Sequence, residues 1–294
     1  MQRISRVRQV LVIVGIGSLM LASSVVAGAA STKGTYNAVD AKLVPASFKS
    51  TTLQVATDAT YAPDESMSGT TMVGFDVDLM KAVATTLGIT INENNVTFDN
   101  IIAGIKSGRY QVGNSSFTDT KAREKQVNFV DYFQAGEGVY ARTSSKVNFK
   151  GFSSFCGLKV AVETGTVEQT DAQAASKSCS SKKKIDVVSF PTQTEANAAV
   201  LSGQANVGFV DSQIAGYIVA TAKGVFKLLG SAVNVAPYGI ATPKTTAGGA
   251  LAMAIEAAIK TLIANGTYHA ILAKYGVTAG ALTSSKVALN GALS

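Results

Sequence analysis

The run from Asn114 to Arg123, Asn-Ser-Ser-Phe-Thr-Asp-Thr-Lys-Ala-Arg, gathers hydroxyls, backbone N–H groups and one guanidinium just after the strand-like Tyr110-Gln-Val-Gly113. An arginine fork offers two parallel, charge-assisted bonds to a planar anion, and the hydroxyls of Ser115, Ser116 and Thr118 can satisfy its remaining lone pairs. The chemistry implied is capture of a carboxylate. The same run also reads as a capped helix start, with Thr118 or Thr120 as N-cap and Arg123 in solvent. Nucleophile chemistry of the Ser-His-Asp or Cys-His kind is ruled out, because the single histidine, His269, stands alone. It also has no partner at metal-ligand spacing, so neither metal nor cofactor is expected.

The elements that must hold this run alternate between strand and helix patterns from Leu53 to Gly276, as in a doubly wound α/β protein. Leu53 to Thr57 reads as a strand. Asp76 to Leu87 puts Val77, Met80, Val83, Ala84 and Leu87 on one helical face, with Gly88 as C-terminal cap. A strand at Ile89 to Ile91 follows, then a helix capped by Asp99 that carries Ile101, Ile102 and Ile105 and stops at Gly108. Further on, Tyr238 to Ala241 reads as a return strand. Leu251, Ala254, Ile255, Ala258, Ile259 and Leu262 mark a long helix ending at Gly266. Residues 30–49 and 278–294, rich in Ser, Thr, Ala and Lys, read as tails.

The plan is stated twice. Leu158-Lys-Val-Ala-Val-Glu-Thr-Gly parallels Leu53-Gln-Val-Ala-Thr-Asp-Ala-Thr, which places Asp58 and Glu163 at equivalent strand ends. Ser202-Gly-Gln-Ala-Asn-Val-Gly208 echoes Ser107-Gly-Arg-Tyr-Gln-Val-Gly113, and Ser116 and Asp211 each stand three residues beyond. Two like lobes, each presenting polar residues past the carboxyl ends of its strands, would form a cleft with matched walls.

Composition sets the compartment. Arg3, Arg6 and Arg8 lead into an apolar stretch from Val10 to Leu21 and small residues through Ala29, the pattern of a secretory signal peptide over residues 1–29. An uncleaved anchor is the alternative, but the apolar core is shorter than the roughly 20 residues that span a bilayer. No cysteine follows it, so a lipid anchor there is excluded. Without the leader's three arginines the chain keeps 23 bases against 19 acids, a mildly basic balance. The one dense basic run, Lys182-Lys183-Lys184, lacks aromatic neighbours, reads as a solvated loop and argues against nucleic acid. In an exported chain the two cysteines, Cys156 and Cys179, read as a disulfide.

Taken in order, Thr57-Asp58-Ala-Thr-Tyr61-Ala-Pro63, Gly74-Phe-Asp-Val-Asp78-Leu79, Ser115-Ser116-Phe-Thr118-Asp-Thr120-Lys-Ala-Arg123-Glu124, Gly165-Thr166 and Val210-Asp211-Ser212 resemble the family 3 extracellular solute-binding proteins. These deliver amino acids to ATP-driven importers. The resemblance implies that Arg123 grips a ligand α-carboxylate with Ser116, Thr118 and Thr166, and that Asp211 takes the α-ammonium. It implies that Tyr61 and Phe98 sandwich the ligand side chain and that Asp58 meets its polar end. Structural roles are the alternatives: Asp211 capping a helix from Ser212 to Ala222, Tyr61 and Phe98 as half-buried core. Asp76 and Asp78 read as structural. The chain departs from the family at Asp64, where an aromatic is usual, and at Gln111 and Asn206, where acids are usual. Tyr275 replaces a tryptophan and Val167 a hydroxyl residue.

The expected architecture is two doubly wound α/β lobes joined by a two-strand hinge. Lobe 1 would comprise residues 50–140 and 239–277 and lobe 2 residues 141–238, with crossings near Tyr140-Ala141-Arg142 and Ala236-Pro237-Tyr238. The resemblance implies a periplasmic or extracellular monomer that closes on its ligand, as periplasmic binding proteins do by hinge motion, with membrane permease subunits as partner. Asp58 and Glu163 on facing lobes, with Glu65 behind Tyr61, favour a cationic amino acid such as arginine, lysine or ornithine; the alternative is a Glu163 that points to solvent and a pocket that accepts polar amino acids broadly. The rivals are a dehydratase on the same scaffold, with Glu163 or Glu65 as proton donor, and a sensor that binds without transport.

Overall fold

The computed structural model describes residues 31–293; the leader expected over residues 1–29 lies outside them. Two short helices, α1 (Ala38–Leu43) and α2 (Ala46–Lys49), precede β1 (Thr52–Thr57). A small antiparallel sheet of β2 (Thr60–Tyr61), β3 (Glu65–Ser68) and β4 (Thr71–Val73) leads into α3 (Phe75–Leu87), which ends at Gly88 in the left-handed region, φ 65°. Then come β5 (Thr90–Asn95), α4 (Phe98–Lys106), β6 (Val112–Gly113) and the single turn α5 (Lys121–Glu124). The long strand β7 (Val127–Arg142) carries the chain into a second unit of β8 (Lys159–Glu163), α6 (Val167–Ser178), β9 (Asp186–Phe190), α7 (Gln193–Ser202), β10 (Val207–Asp211) and α8 (Ser212–Thr221). An equally long β11 (Phe226–Pro243) returns to the first unit, where α9 (Thr246–Ala264) and α10 (Thr267–Tyr275) pack.

The main strands form one sheet in the order β5-β1-β6-β11-β7-β10-β8-β9. β1 runs parallel to β5 and β6, and β8 parallel to β9 and β10, so each lobe is a doubly wound unit as expected. β7 and β11 pair antiparallel along both lobes, with register shifts between Leu229 and Val233 and between Val233 and Ala236. Glu137 to Tyr140 already pair with β10 of lobe 2. The ladder thus passes between lobes near Gln134 to Glu137, ahead of Tyr140-Ala141-Arg142, because one unbroken strand runs through both lobes and no turn residue marks the passage. On the return strand the passage lies between Leu229 and Ala236, again slightly ahead of Ala236-Pro237-Tyr238.

The apolar stripe of α9 is fully buried against α3, α10 and the sheet, with Leu251, Ala254, Ile255, Ala258, Ile259 and Leu262 in one core with Leu79, Met80 and Leu272. The segments expected as tails join that core. Val44 is buried, Asn37 caps α1, and Asp40 accepts a hydrogen bond from Thr261 of α9 at 2.7 Å. At the other end Ala281 and Leu289 bridge to Phe133 and Val130 of β7, while Leu282 and Val287 are buried. Isolated bridges need no repeating pattern, so these segments pack without periodicity.

Cys156 and Cys179 form a disulfide that ties the start of lobe 2 to the end of α6. Lys184, expected in a solvated loop, donates its Nζ to the carbonyls of Ser176, Lys177 and Cys179 and so satisfies the helix terminus. The internal echo extends to hydrogen bonding. Gln111 accepts the Gln54 N–H on its side chain and donates its own N–H to the Gln54 carbonyl; Asn206 does the same with Lys159.

Candidate ligand-binding site

All ten side chains proposed from the sequence line one cleft between the lobes. Asp58 and Tyr61 follow β1, Phe98 opens α4, and the run Ser115 to Arg123 follows β6. Glu163 ends β8, Thr166 caps α6 and Asp211 ends β10. Each lies past the carboxyl end of a parallel strand, where helix N-termini converge. Glu65, Val167 and Glu168 complete the lining.

At one end stands Arg123. Thr120 caps α5 by accepting the Arg123 N–H, so the capped turn and the guanidinium are parts of one device. Nη1 donates to the Thr118 carbonyl at 2.7 Å and Nη2 to the Gly165 carbonyl of lobe 2 at 2.9 Å. The guanidinium carbon lies 5.3 Å from the Phe98 ring and 5.4 Å from the Phe117 ring. Gly165, at φ +85°, lets this happen: a Cβ there would sit 3.2 Å from the Asp99 Cα across the cleft. Arg123 forms no ion pair among the described residues. Burial lowers its pKa, opposed by the charges of Glu168 and Asp211.

Most of the neighbouring hydroxyls are committed to the protein. Ser115 accepts the Asp58 N–H and donates to Glu65 Oε1, and Ser116, at φ 49°, shares its proton between Asp64 and Glu65 while its N–H meets Asp76 Oδ2. Thr166 donates to the Glu163 carbonyl and accepts the Gln169 N–H. The Thr118 hydroxyl has no protein partner among the described residues and lines the cleft.

Asp211 accepts the Tyr61 hydroxyl across the lobes at 2.7 Å and makes no capping bond to α8. Burial raises its pKa to about 6, against hydrogen bonds from Tyr61 and Tyr238 and the charge of Arg123. The Tyr61 ring packs into the lobe 2 core with Tyr140, Ala161 and Val210. Phe98 stacks on Phe117 at 4.4 Å.

Asp58 is saturated. Oδ1 accepts the N–H and hydroxyl of Thr60, and Oδ2 accepts the Phe98 N–H at 3.0 Å, which caps α4. Asp99, expected as that cap, instead accepts from the side chains of Thr97 and Asn100. Across the cleft Glu163 is 2% exposed, and its Oε1 has no partner. Burial pushes its pKa well above the carboxylate range, helped by the Asp58 charge and a hydrogen bond to it.

Glu168 escaped the sequence reading. It sits in the first turn of α6, 1% exposed, with Oε1 unpartnered. Burial raises its pKa, with the charges of Asp211 and Glu137 adding to the rise. An acid in a first turn reads as a partner of the helix dipole, which hides a cleft residue behind an ordinary pattern.

The sequence profile of the bacterial extracellular solute-binding proteins, family 3, matches residues 53–278. The chain belongs to that family. Among solute-binding relatives, the arginine-binding protein ArgT of Corynebacterium glutamicum is 28% identical over 219 residues, covering 74% of this chain and 71% of that protein. An ancestral arginine-binding protein solved bound to arginine superposes with a TM-score of 0.70 at 30% identity, over 76% of this chain and 97% of its own. The ancestral amino acid-binding protein AncCDT-1, a precursor of cyclohexadienyl dehydratase, superposes at 0.68 with 29% identity, over 76% and 95% of the two chains.

The departures from this solute-binding family have local accounts. Gln111 and Asn206 tie strands together, and the Tyr275 hydroxyl donates to Asp78 at 2.9 Å. Asp64 accepts from Ser116 and, across the lobes, from Gln213. Asp76 accepts the Tyr132 hydroxyl, a structural role like that of Asp78.

Proposed function

We propose that the protein captures a cationic α-amino acid between its lobes, outside the cytoplasm, and presents it to the permease of an ATP-driven importer. The charge of the cleft carries this reading: Asp58, Glu65, Glu163, Glu168 and Asp211 face a single guanidinium. Arg123 and the Thr118 hydroxyl would hold the α-carboxylate, Asp211 and Glu168 the α-ammonium, and Phe98 and Tyr61 the aliphatic stem. Burial raises the pKa of all five acids. Carboxylates crowded in a closed site either take up protons or receive a cation, and a ligand ammonium or guanidinium relieves them. A relative named for arginine and another solved with arginine bound agree with the assignment. The leader pattern expected over residues 1–29 supports export, and the register shifts of β11 are where the hinge would bend.

Calorimetry with arginine, lysine, ornithine, glutamate and leucine tests the proposal. One of the three cations is expected to bind most tightly; glutamate or leucine binding more tightly than all three overturns it. A dehydratase reading draws on Glu163 as an acid whose pKa burial raises, and on the likeness to a dehydratase precursor. Prephenate and arogenate are its assay, and no turnover is expected.

A further inference from the structure

Cleft chemistry leaves Gln213 unexplained. It stands two residues beyond Asp211 in the first turn of α8, on lobe 2. Its Nε2 donates to Asp64 Oδ2 of lobe 1 at 2.8 Å and to the Tyr238 hydroxyl at 2.7 Å. Neither Asp64 nor Gln213 lines the cleft. Both acceptors are fully buried and held by other bonds. The Asp64 N–H donates to the Tyr61 carbonyl, its carbonyl takes the Asp76 N–H, and Oδ2 also accepts Ser116 Oγ. Tyr238 pairs with Phe133 on the lobe 1 side of the register shifts. The turn that carries Asp64 is the one that presents Tyr61, and the helix start that carries Gln213 is the one that begins at Asp211. Two amide hydrogens meet two buried acceptors on the opposite lobe, and opening strips both acceptors of that donor.

We propose that Gln213 is an interlobe latch that sets the closing equilibrium of the cleft without touching the ligand. It depends on hinge closure and is indifferent to which amino acid is bound. A ligand's apparent affinity scales with the closed fraction, so the latch multiplies every affinity by the same factor and acts mainly on dissociation.

The test uses the disulfide-intact protein with Gln213→Met, which keeps the volume and removes the donors, and Asp64→Asn, which keeps an acceptor oxygen. Small-angle X-ray scattering of ligand-free protein and stopped-flow binding of arginine and lysine are the readouts, with a cooperative melt as the check of folding. Gln213→Met is expected to enlarge the radius of gyration and to weaken both ligands by roughly tenfold through faster dissociation, leaving their ratio unchanged. Asp64→Asn is expected to scatter like wild type. A Gln213→Met profile matching wild type, an arginine-to-lysine ratio shifted more than about threefold, or an Asp64→Asn variant as open as Gln213→Met overturns the latch. A wild type that binds no amino acid defeats the transport reading instead, and the scattering comparison still decides the latch.

Discussion

Glu163→Gln separates recognition of ligand charge from support of the cleft. Glu163 Oε1 is buried and unpartnered, while the Asp58 carboxylate already accepts three hydrogen bonds from Thr60 and Phe98, so Glu163 offers the freer acceptor. A hydrogen bond to a charged group contributes about 1.5–3 kcal/mol, which is about tenfold to 150-fold in Kd. Arginine affinity is expected to fall by that factor. Citrulline, which matches arginine in shape without its charge, is expected to change little, because glutamine still offers a carbonyl. Asp58→Asn should act differently. One amide nitrogen replaces an acceptor oxygen, so either Thr60 or Phe98 loses its partner, and both ligands weaken together as the start of α4 loosens. Competition calorimetry on the two variants reads the arginine-to-citrulline ratio. A Glu163→Gln variant whose ratio stays within about threefold of wild type refutes the assignment of the ligand's charged end to Glu163.

Arg123→Ala is expected to abolish amino-acid binding in a protein that still melts cooperatively, since losing two charge-assisted bonds costs about 3–6 kcal/mol; Arg123→Lys should recover only part of it, and calorimetry within about threefold of wild type contradicts the role. Thiol titration of the denatured protein without reductant is expected to find no free cysteine, and reduction should lower the stability of lobe 2. Burial holds Asp76 at about 6, Asp131 at about 8 and Glu137 at about 9. Each then keeps a proton in the folded chain that the unfolded chain has lost, a stabilisation complete below the ordinary carboxylate range and lost as pH rises through these values. Ligand-free protein is therefore expected to melt lower at about pH 9 than at about pH 5 in scanning calorimetry. Arginine binding is expected to strengthen as pH rises through about 6, where Asp211 ionises, with proton release seen by calorimetry in two buffers.

The sequence displayed what repeats and what is compositionally rare. The stripe of α9, the glycine cap of α3 and the doubled strand-helix units follow local periodicity, and they bring Asp58, Glu163, Arg123 and Asp211 to one cleft. What stayed hidden depends on long-range partners. That Asp58 caps α4, 40 residues away, cannot be read from either segment, and a nearby Asp99 offers a plausible false cap. Glu168 and Lys184 resemble ordinary surface charges until the opposite lobe or the helix end is in place. The last residues pack through single bridges, which leave no periodic trace.

The two connecting strands have a mechanical consequence. β7 and β11 cross side by side, bonded to each other along most of their length, with register shifts between Leu229 and Ala236 and again between Tyr238 and Gly239. Such a ribbon bends out of its plane far more easily than it shears within it, so closing lobes would approach along a single arc. If the lobes close on a ligand as proposed, whatever fills the cleft would decide where on that arc they stop, and a longer side chain would stop them sooner. Ligand length would thereby be rewritten as the angle between two outer surfaces, where a partner resting on both could gauge the cargo without ever meeting it.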